Sequence, residues 1–353
     1  MRPSRAAVLL TASLAVALPV TAGCLPATGE AAPAPSGRVA RAAGVPSEFG
    51  SAQRQFTLAG SAISESSGLA ASRRHPGVLY THNDSGHAPR VFALGPDGRT
   101  RAVLTLRGVR ARDWEGIAVG PGPGGRPTIH VGDIGDNLGG KWRTITVYRF
   151  PEPGTLGDAT VPAARIRLRY EDGPRDAEAL LVHPVTGRLY VVSKKQRGAA
   201  IYQAPERLST TGVNTLRRIA GINLQVTDGA FSPDGQRFVL RGYFNAKEYA
   251  PPARELGQVP IPLQRQGEGL TYTSDGNALL LSSEGVGSTV YRIPIEGAPV
   301  AEPAVSPAAA HQVTGGGNRS TGNAVVGGLA LLGTVAVLLA VAWRSGGGGR
   351  RTG

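Results

Sequence analysis

Residues 114–119 read WEGIAV: an acid, a glycine and then an apolar run. The same form appears at four other places in the 353-residue chain, as SSGLAA (66–71), AEALLV (177–182), TDGAFS (227–232) and GEGLTY (267–272). Each sets a polar or acidic residue before Gly or Ala and an apolar strand after it. The small residues Gly68, Gly116, Ala179, Gly229 and Gly269 are spaced by 48, 63, 50 and 40. A repeat of about 40–50 residues is the length of one four-stranded propeller blade.

The rest of each unit follows the same plan. A turn comes after the first strand (HPG, GPGG, PVTG, PDG, SDG), then a second strand (VLYTHND, TIHVGD, RLYVVSK, RFVLRG, ALLLSSE). A third strand reads RVFAL, ITVYRF, AIYQA, AKEYA and TVYRI, and a fourth VLTLRG, RIRLRY, LRRIAG and VPIPLQ. The fifth unit has no fourth strand of its own, whereas QFTLAG (Gln55–Gly60) stands unpaired before the first unit. Pairing the two closes a ring and removes an open sheet edge. The pattern predicts an all-β domain, a propeller of five four-stranded blades, with six as the alternative if the 63-residue interval hides another. An irregular β-sandwich is the competing architecture, because it too has many short strands at regular spacing.

Composition agrees with short strands and turns: 50 Gly, 27 Pro and 5% aromatic residues. The formal charge of +13 comes mostly from arginines scattered along the chain. No basic stretch is interleaved with stacking aromatics, so nucleic acid is not an expected partner. A weak attraction to anionic wall polymers or phosphate esters remains in keeping with the charge. The single cysteine, Cys24, excludes an intramolecular disulfide.

The ends predict an address. Residues 1–22 have a basic start (Arg2, Arg5), a short apolar core and small residues at the exit, the form of a secretory signal. Residues 23–54 read as a disordered linker, 55–296 as the propeller and 297–322 as a Pro/Ala/Gly-rich stalk. If its 26 residues were extended, the stalk would span roughly 80 Å. Residues 323–343 hold the chargeless run Ala324–Trp343, long enough for a membrane helix, and 344–353 form a basic tail expected to stay cytoplasmic. The expected location is the cell membrane, single-pass, with the main domain extracytoplasmic. LPATG (25–29) has the form of a sortase signal but lacks the adjacent helix and basic tail. Thr21–Cys24 resembles a lipobox with Thr21 where Leu is usual.

Acids recur at two points of the repeat. Glu115, Glu178, Asp228 and Glu268 precede the small residue, with Ser67 in the first unit. Asp84, Asp133 and Glu284 end the second strand, with Lys194 in the third unit. A ring brings equivalent positions round one axis, and converging carboxylates repel unless a cation or protons offset them. Calcium, which takes 6–8 oxygen ligands in flexible geometry, is the natural candidate. Glu115, Glu178, Glu268, Asp133, Asp136 and Glu284 are the candidate metal ligands. Asn83, Asp84, Asn137, Lys194 and Arg241 are the candidate ligand-binding residues, the two cations as donors to a phosphate. The same acids also suit a structural role, accepting backbone N–H bonds in turns and between blades. His82 and His87 have no third partner at metal-binding spacing. GPGPGG (120–125) lacks the helix a dinucleotide loop requires, and no G-x-S-x-G, H-E-x-x-H or P-loop occurs.

The succession acid-Gly-Leu, D-G or T-G, L-Y-x-x-S and V-Y-R-I resembles secreted bacterial propellers of the phytase-like and WD40-like kind, from about Gln55 to Ile295. Phytase-like propellers bind several calcium ions and hydrolyse phosphate esters. The resemblance therefore implies Glu115, Glu178, Glu268 and Glu284 as ligands. Lys194, Lys195 and Arg241 stand where acids would, and the sequence has no dense acidic clusters of the multi-calcium kind. The functional expectation is a surface-displayed binding module for a cell-wall polymer, phosphoester or surface protein. The alternative is a calcium-dependent phosphoesterase.

Overall fold

The computed structural model describes residues 45–296. The signal, most of the linker, the stalk, the apolar run and the basic tail lie outside them. Among the described residues no helix is long and apolar enough to cross a membrane.

Two short strands, β1 (Glu48–Phe49) and β2 (Gln53–Thr57), precede the repeats. The first meander is β3 (Ser66–Ala71), β4 (Leu79–Asn83), β5 (Arg90–Leu94) and β6 (Thr100–Leu106). The second contains β7 (Trp114–Pro121), β8 (Pro127–Asp133) and β9 (Ile145–Pro151), then β10 (Ala159–Val161) and β11 (Ala164–Tyr170). The third is β12 (Ala177–Val182), β13 (Leu189–Ser193), β14 (Ala199–Gln203) and β15 (Val213–Ile222). The fourth is β16 (Asp228–Phe231), β17 (Phe238–Arg241), β18 (Ala246–Ala250) and β19 (Arg254–Val259). The fifth is β20 (Gly267–Tyr272), β21 (Ala278–Ser283) and β22 (Thr289–Glu296), completed by β2 running antiparallel to β22. The N-terminal strand thus supplies the outer strand that the last repeat lacks.

The innermost strands β3, β7, β12, β16 and β20 touch in that cyclic order, and β20 returns to β3. Each seam between neighbouring meanders holds its own apolar cluster. Tyr80 and Leu104 of the first meander meet Trp114 and Val131 of the second. Val147 and Leu168 meet Leu180 and Tyr202, and Ile201 meets Leu240. Val239 meets Leu279, and Leu281 of the fifth packs in the same cluster. Leu280 and Val290 meet Leu69 and Phe92 at the seam that closes the ring. With about 1.5–3 kcal/mol per large apolar side chain removed from water, no seam is dispensable. The arrangement is that of a β-propeller.

Two departures from the expected layout stand out. The long second interval places β10 parallel to β6 of the neighbouring meander, rather than building another repeat. β11 also pairs parallel with β15, so the second and third meanders join at their outer edges into one eight-stranded sheet. The domain also begins before residue 55. Glu48 and Phe49 pair with Glu296 and Ile295, the Ser47 hydroxyl donates to Glu248 at 2.6 Å, and Arg237 Nε holds the Val45 carbonyl at 3.1 Å. The backbone pairing and these buried partners order a stretch whose composition reads as linker.

The first strand of each repeat starts, and the second ends, at the same end of the ring. Both ends of the described chain emerge at the other end. Ile295 N–H donates to Asn277 in the β20–β21 turn, and Val45 sits on Arg237 of the β16–β17 turn.

Candidate functional site

The polar or acidic residues that precede the small residue of each innermost strand, the anchors, owe their aim to a local irregularity. In β3, β7, β12 and β20 the register shifts at the polar–small pair, between Ser66 and Leu69, Trp114 and Ile117, Ala177 and Ala179, and Gly267 and Leu270. Such bulges re-aim a side chain that regular pleating would send elsewhere. The fourth meander has no shift: Asp228 pairs with Arg241 and Gly229 with Leu240 in regular order. The small residues let the inner strands close in. A Cβ on Gly116 would lie 2.7 Å from Leu180 N, and one on Gly269 3.0 Å from the Leu69 Cβ.

Six carboxylates gather at this end: Asp84, Asp113, Glu115, Glu178, Glu268 and Glu284. Glu115, Glu178 and Glu268 are buried, with 3%, 2% and 3% of their surface exposed. Asp84, Asp113 and Glu115 each offer an oxygen, all within 4.8 Å of one another. The three glutamates receive side-chain donors rather than backbone ones. Ser67 Oγ donates to Glu115 Oε2 at 2.5 Å, Lys194 Nζ to Glu178 Oε1 at 2.6 Å and Gln266 Nε2 to Glu268 Oε1 at 3.3 Å.

Crowding and burial raise the proton affinity of these acids. Burial, then the charges of Glu178 and Asp84, holds the Glu115 carboxyl well above the usual range. Burial and then Asp84 push Asp113 up to about 6. Burial, followed by the hydrogen bond and charge of Glu268, pushes Glu284 up to about 8. Asp84 is raised by burial, with Glu268 and Glu65 adding to it. Lys194 is held above its usual value: burial opposes its charge, and the charge and hydrogen bond of Glu178 outweigh that. A chain with an excess of basic residues thus concentrates unbalanced acid at one end of its ring.

The other candidates hold hydrogen bonds within the framework. Asp133 accepts the Asp113 N–H at 3.1 Å and faces Arg112 at 3.5 Å. Asp136, fully buried, accepts the Trp142 N–H at 2.6 Å. Asn83 accepts from the Ser64 and Glu65 N–H groups and donates to the Ala62 carbonyl. Asn137 buttresses Asp113 through Nδ2 at 3.3 Å. Asp228 accepts the Leu270 N–H of the next meander at 2.7 Å, the seam-binding role. Arg241 is fully buried and its Nη1 donates to the Gly269 and Ser282 carbonyls at 3.0 and 3.1 Å, while its Nη2 has no hydrogen-bond partner among the described residues. Lys194 is engaged by Glu178. His82 and His87 have different partners, the Asn83 carbonyl at 3.0 Å and Glu65 at 2.6 Å.

Sequence reasoning missed Asp113. Its signal is a period of two: Asp113, Asp176 and Gln266 each stand two residues before an anchor glutamate, as Glu65 does before Ser67. Acids that are sparse along the chain become a dense cluster because the ring superposes their positions. At the opposite end, a cavity of about 470 Å³ is walled by apolar residues including Leu69, Ile117, Leu181 and Tyr272. Arg73 and Asp275 are its charged lining.

No protein-family model matches the chain, and no curated protein matches it in sequence. Among solved structures it is similar to a gluconolactonase from Xanthomonas campestris, at 15% identity and a TM-score of 0.43, over 73% of this chain and 99% of that one. It is similar to a luciferin-regenerating enzyme at 12% identity and 0.41, over 70% and 96%. It is also similar to the PQQ-bound aldose sugar dehydrogenase from Streptomyces coelicolor at 12% and 0.42, over 71% and 100%. Likenesses at this level carry no inference about chemistry.

Proposed function

We propose that the protein is a five-bladed propeller acting as a display module, whose acidic end binds a divalent cation, calcium, and through it an oxyanion ligand such as a wall polymer or phosphoester. The observation that carries this reading is the convergence of carboxylates from the first, second, third and fifth blades, with Asp84, Asp113 and Glu115 offering oxygens within 4.8 Å of one another. An all-carboxylate donor set suits a hard cation. Calcium bound there would neutralise the acids and leave coordination positions for ligand oxygens. The exit of both described chain ends at the opposite end supports display. The test is thermal unfolding of the full chain with calcium and with chelator, beside Glu115→Gln. Calcium at a hundredfold excess over Kd adds about 2.7 kcal/mol, several degrees in a domain of this size, and the variant loses most of that gain. Superimposable curves for the wild type would remove the cation from the account.

A second reading, a calcium-dependent phosphoesterase, draws on Glu284, whose pKa near 8 leaves a proton available at neutral pH beside the cluster. Turnover of a chromogenic phosphoester that needs calcium and falls in Glu284→Gln is its expected signature. Its absence in protein that binds calcium leaves the binding role.

A further inference from the structure

At the end of the second strand, three positions are equivalent in backbone terms. The N–H of Asp84 donates to the Glu65 carbonyl, that of Lys194 to Asp176 and that of Glu284 to Gln266. In each case the acceptor stands two residues before the anchor, at Ser67, Glu178 and Glu268. Two of the three side chains are acids that face other acids: Asp84 lies beside Asp113 and Glu115, and Glu284 beside Glu268. The third is a lysine, and its ammonium sits 2.6 Å from Glu178 Oε1. The pair is well shielded, with side-chain exposures of 18% for Lys194 and 2% for Glu178, and Tyr243 flanks the ammonium with its ring centre 5.3 Å from Nζ.

We propose that Lys194 is a built-in cation that sets how many metal ions the acidic end accepts. Its ammonium takes the charge-balancing place at Glu178, so an ion from solution is confined to the side of Asp84, Asp113 and Glu115. This rests on the cation reading above and adds a residue that determines stoichiometry. The physical reason is competition. A metal approaching Glu178 must displace an ammonium that is tethered beside the carboxylate and so never dilutes, and whose removal would bare a buried charge. A lysine serves this place because it carries a single compact charge on a flexible stem.

The experiment is calcium titration by calorimetry, with melting in calcium and in chelator, on the full chain as wild type, Lys194→Met and Lys194→Arg. Methionine keeps an apolar stem and removes the charge, whereas arginine keeps the charge. The wild type is expected to bind one calcium ion. Lys194→Met should take up a second ion or bind at least tenfold tighter. It should also melt lower than wild type in chelator and be restored by calcium, a rescue that a merely structural role would not produce. Lys194→Arg should keep the wild-type stoichiometry. Wild-type-like or weaker binding by Lys194→Met, a melting deficit that calcium fails to restore, or an arginine variant that behaves like the methionine one would each overturn the proposal. Binding by Lys194→Met alone would end the cation reading of the native protein and overturn the confinement of an ion to Asp84, Asp113 and Glu115. Binding by neither would end both.

Discussion

Gly116 shows how one residue governs the spacing of the inner strands. Its φ of +73° is left-handed, and a Cβ there would lie 2.7 Å from Leu180 N and 2.8 Å from the Glu178 carbonyl. Gly116→Ala should therefore cost about 3 kcal/mol or more, since strain and a backbone clash add. Gly124 has a similar φ of +68° but open space, so Gly124→Ala should cost about 1 kcal/mol. Urea unfolding of the two variants decides the point, and equal losses would mean that strand approach at Gly116 is not what the glycine serves. The acid beside each glycine is legible in sequence because a repeat singles it out. Asp113 is not, because one residue outside the conserved-looking form has only a register to announce it. The burial of Arg241 is not legible either: nothing in its sequence neighbours reveals that the guanidinium lies inside the ring against the Gly269 and Ser282 carbonyls.

At the scale of elements, the second strands of the first two meanders are sensitive to acid. His82 on β4 and His130 on β8 are both buried, and burial lowers each imidazole to a pKa of about 4. Both are neutral in the fold and gain a proton more readily when unfolded, where the value is near 6.5. Their contribution to stability is complete above pH 6.5 and is lost as pH falls towards 4. By pH 5 the loss is roughly 2 kcal/mol for each. The stability difference between wild type and His130→Leu should therefore shrink by about that amount from pH 8 to pH 5, in denaturant unfolding at both. A pH-independent difference would show that His130 does not titrate as its burial requires. The strands carrying these histidines are plain in the sequence, since apolar alternation and turn residues bound them. β10 and β1 are not: three residues among prolines and two in a linker carry no period, and a partner strand alone makes them β.

At the scale of the whole molecule, two predictions concern closure and charge. Removing residues 45–57 strips β1 and β2 from β22 and leaves the fifth repeat with an open edge. The truncated chain should melt at least ten degrees lower or associate through that edge. An unaltered melting point in a monomer would mean that the ring does not depend on its clasp. The acidic end makes the opposite pH demand to the histidines. Glu284, raised from 4.5 to about 8, keeps its proton in the fold, so its stabilising contribution is full below pH 4.5 and lost as pH rises towards 8. Calcium should accordingly raise the melting temperature more at pH 8 than at pH 5, and a larger gain at pH 5 would contradict its place among these acids. The ring itself is legible because five copies of one form average out local ambiguity. The acidic centre is legible only once the ring is accepted, because contact across the axis joins residues far apart in the chain.

The exit of the chain at Glu296 has a mechanical consequence. Tension applied to the chain at Glu296 would enter along β22, which lies between β21 on one side and β2 with β1 on the other. Interstrand hydrogen bonds run across the strands, so a pull along β22 loads those rows together in shear instead of peeling them one at a time. The same clasp that shuts the ring is thus oriented to resist a pull applied at Glu296.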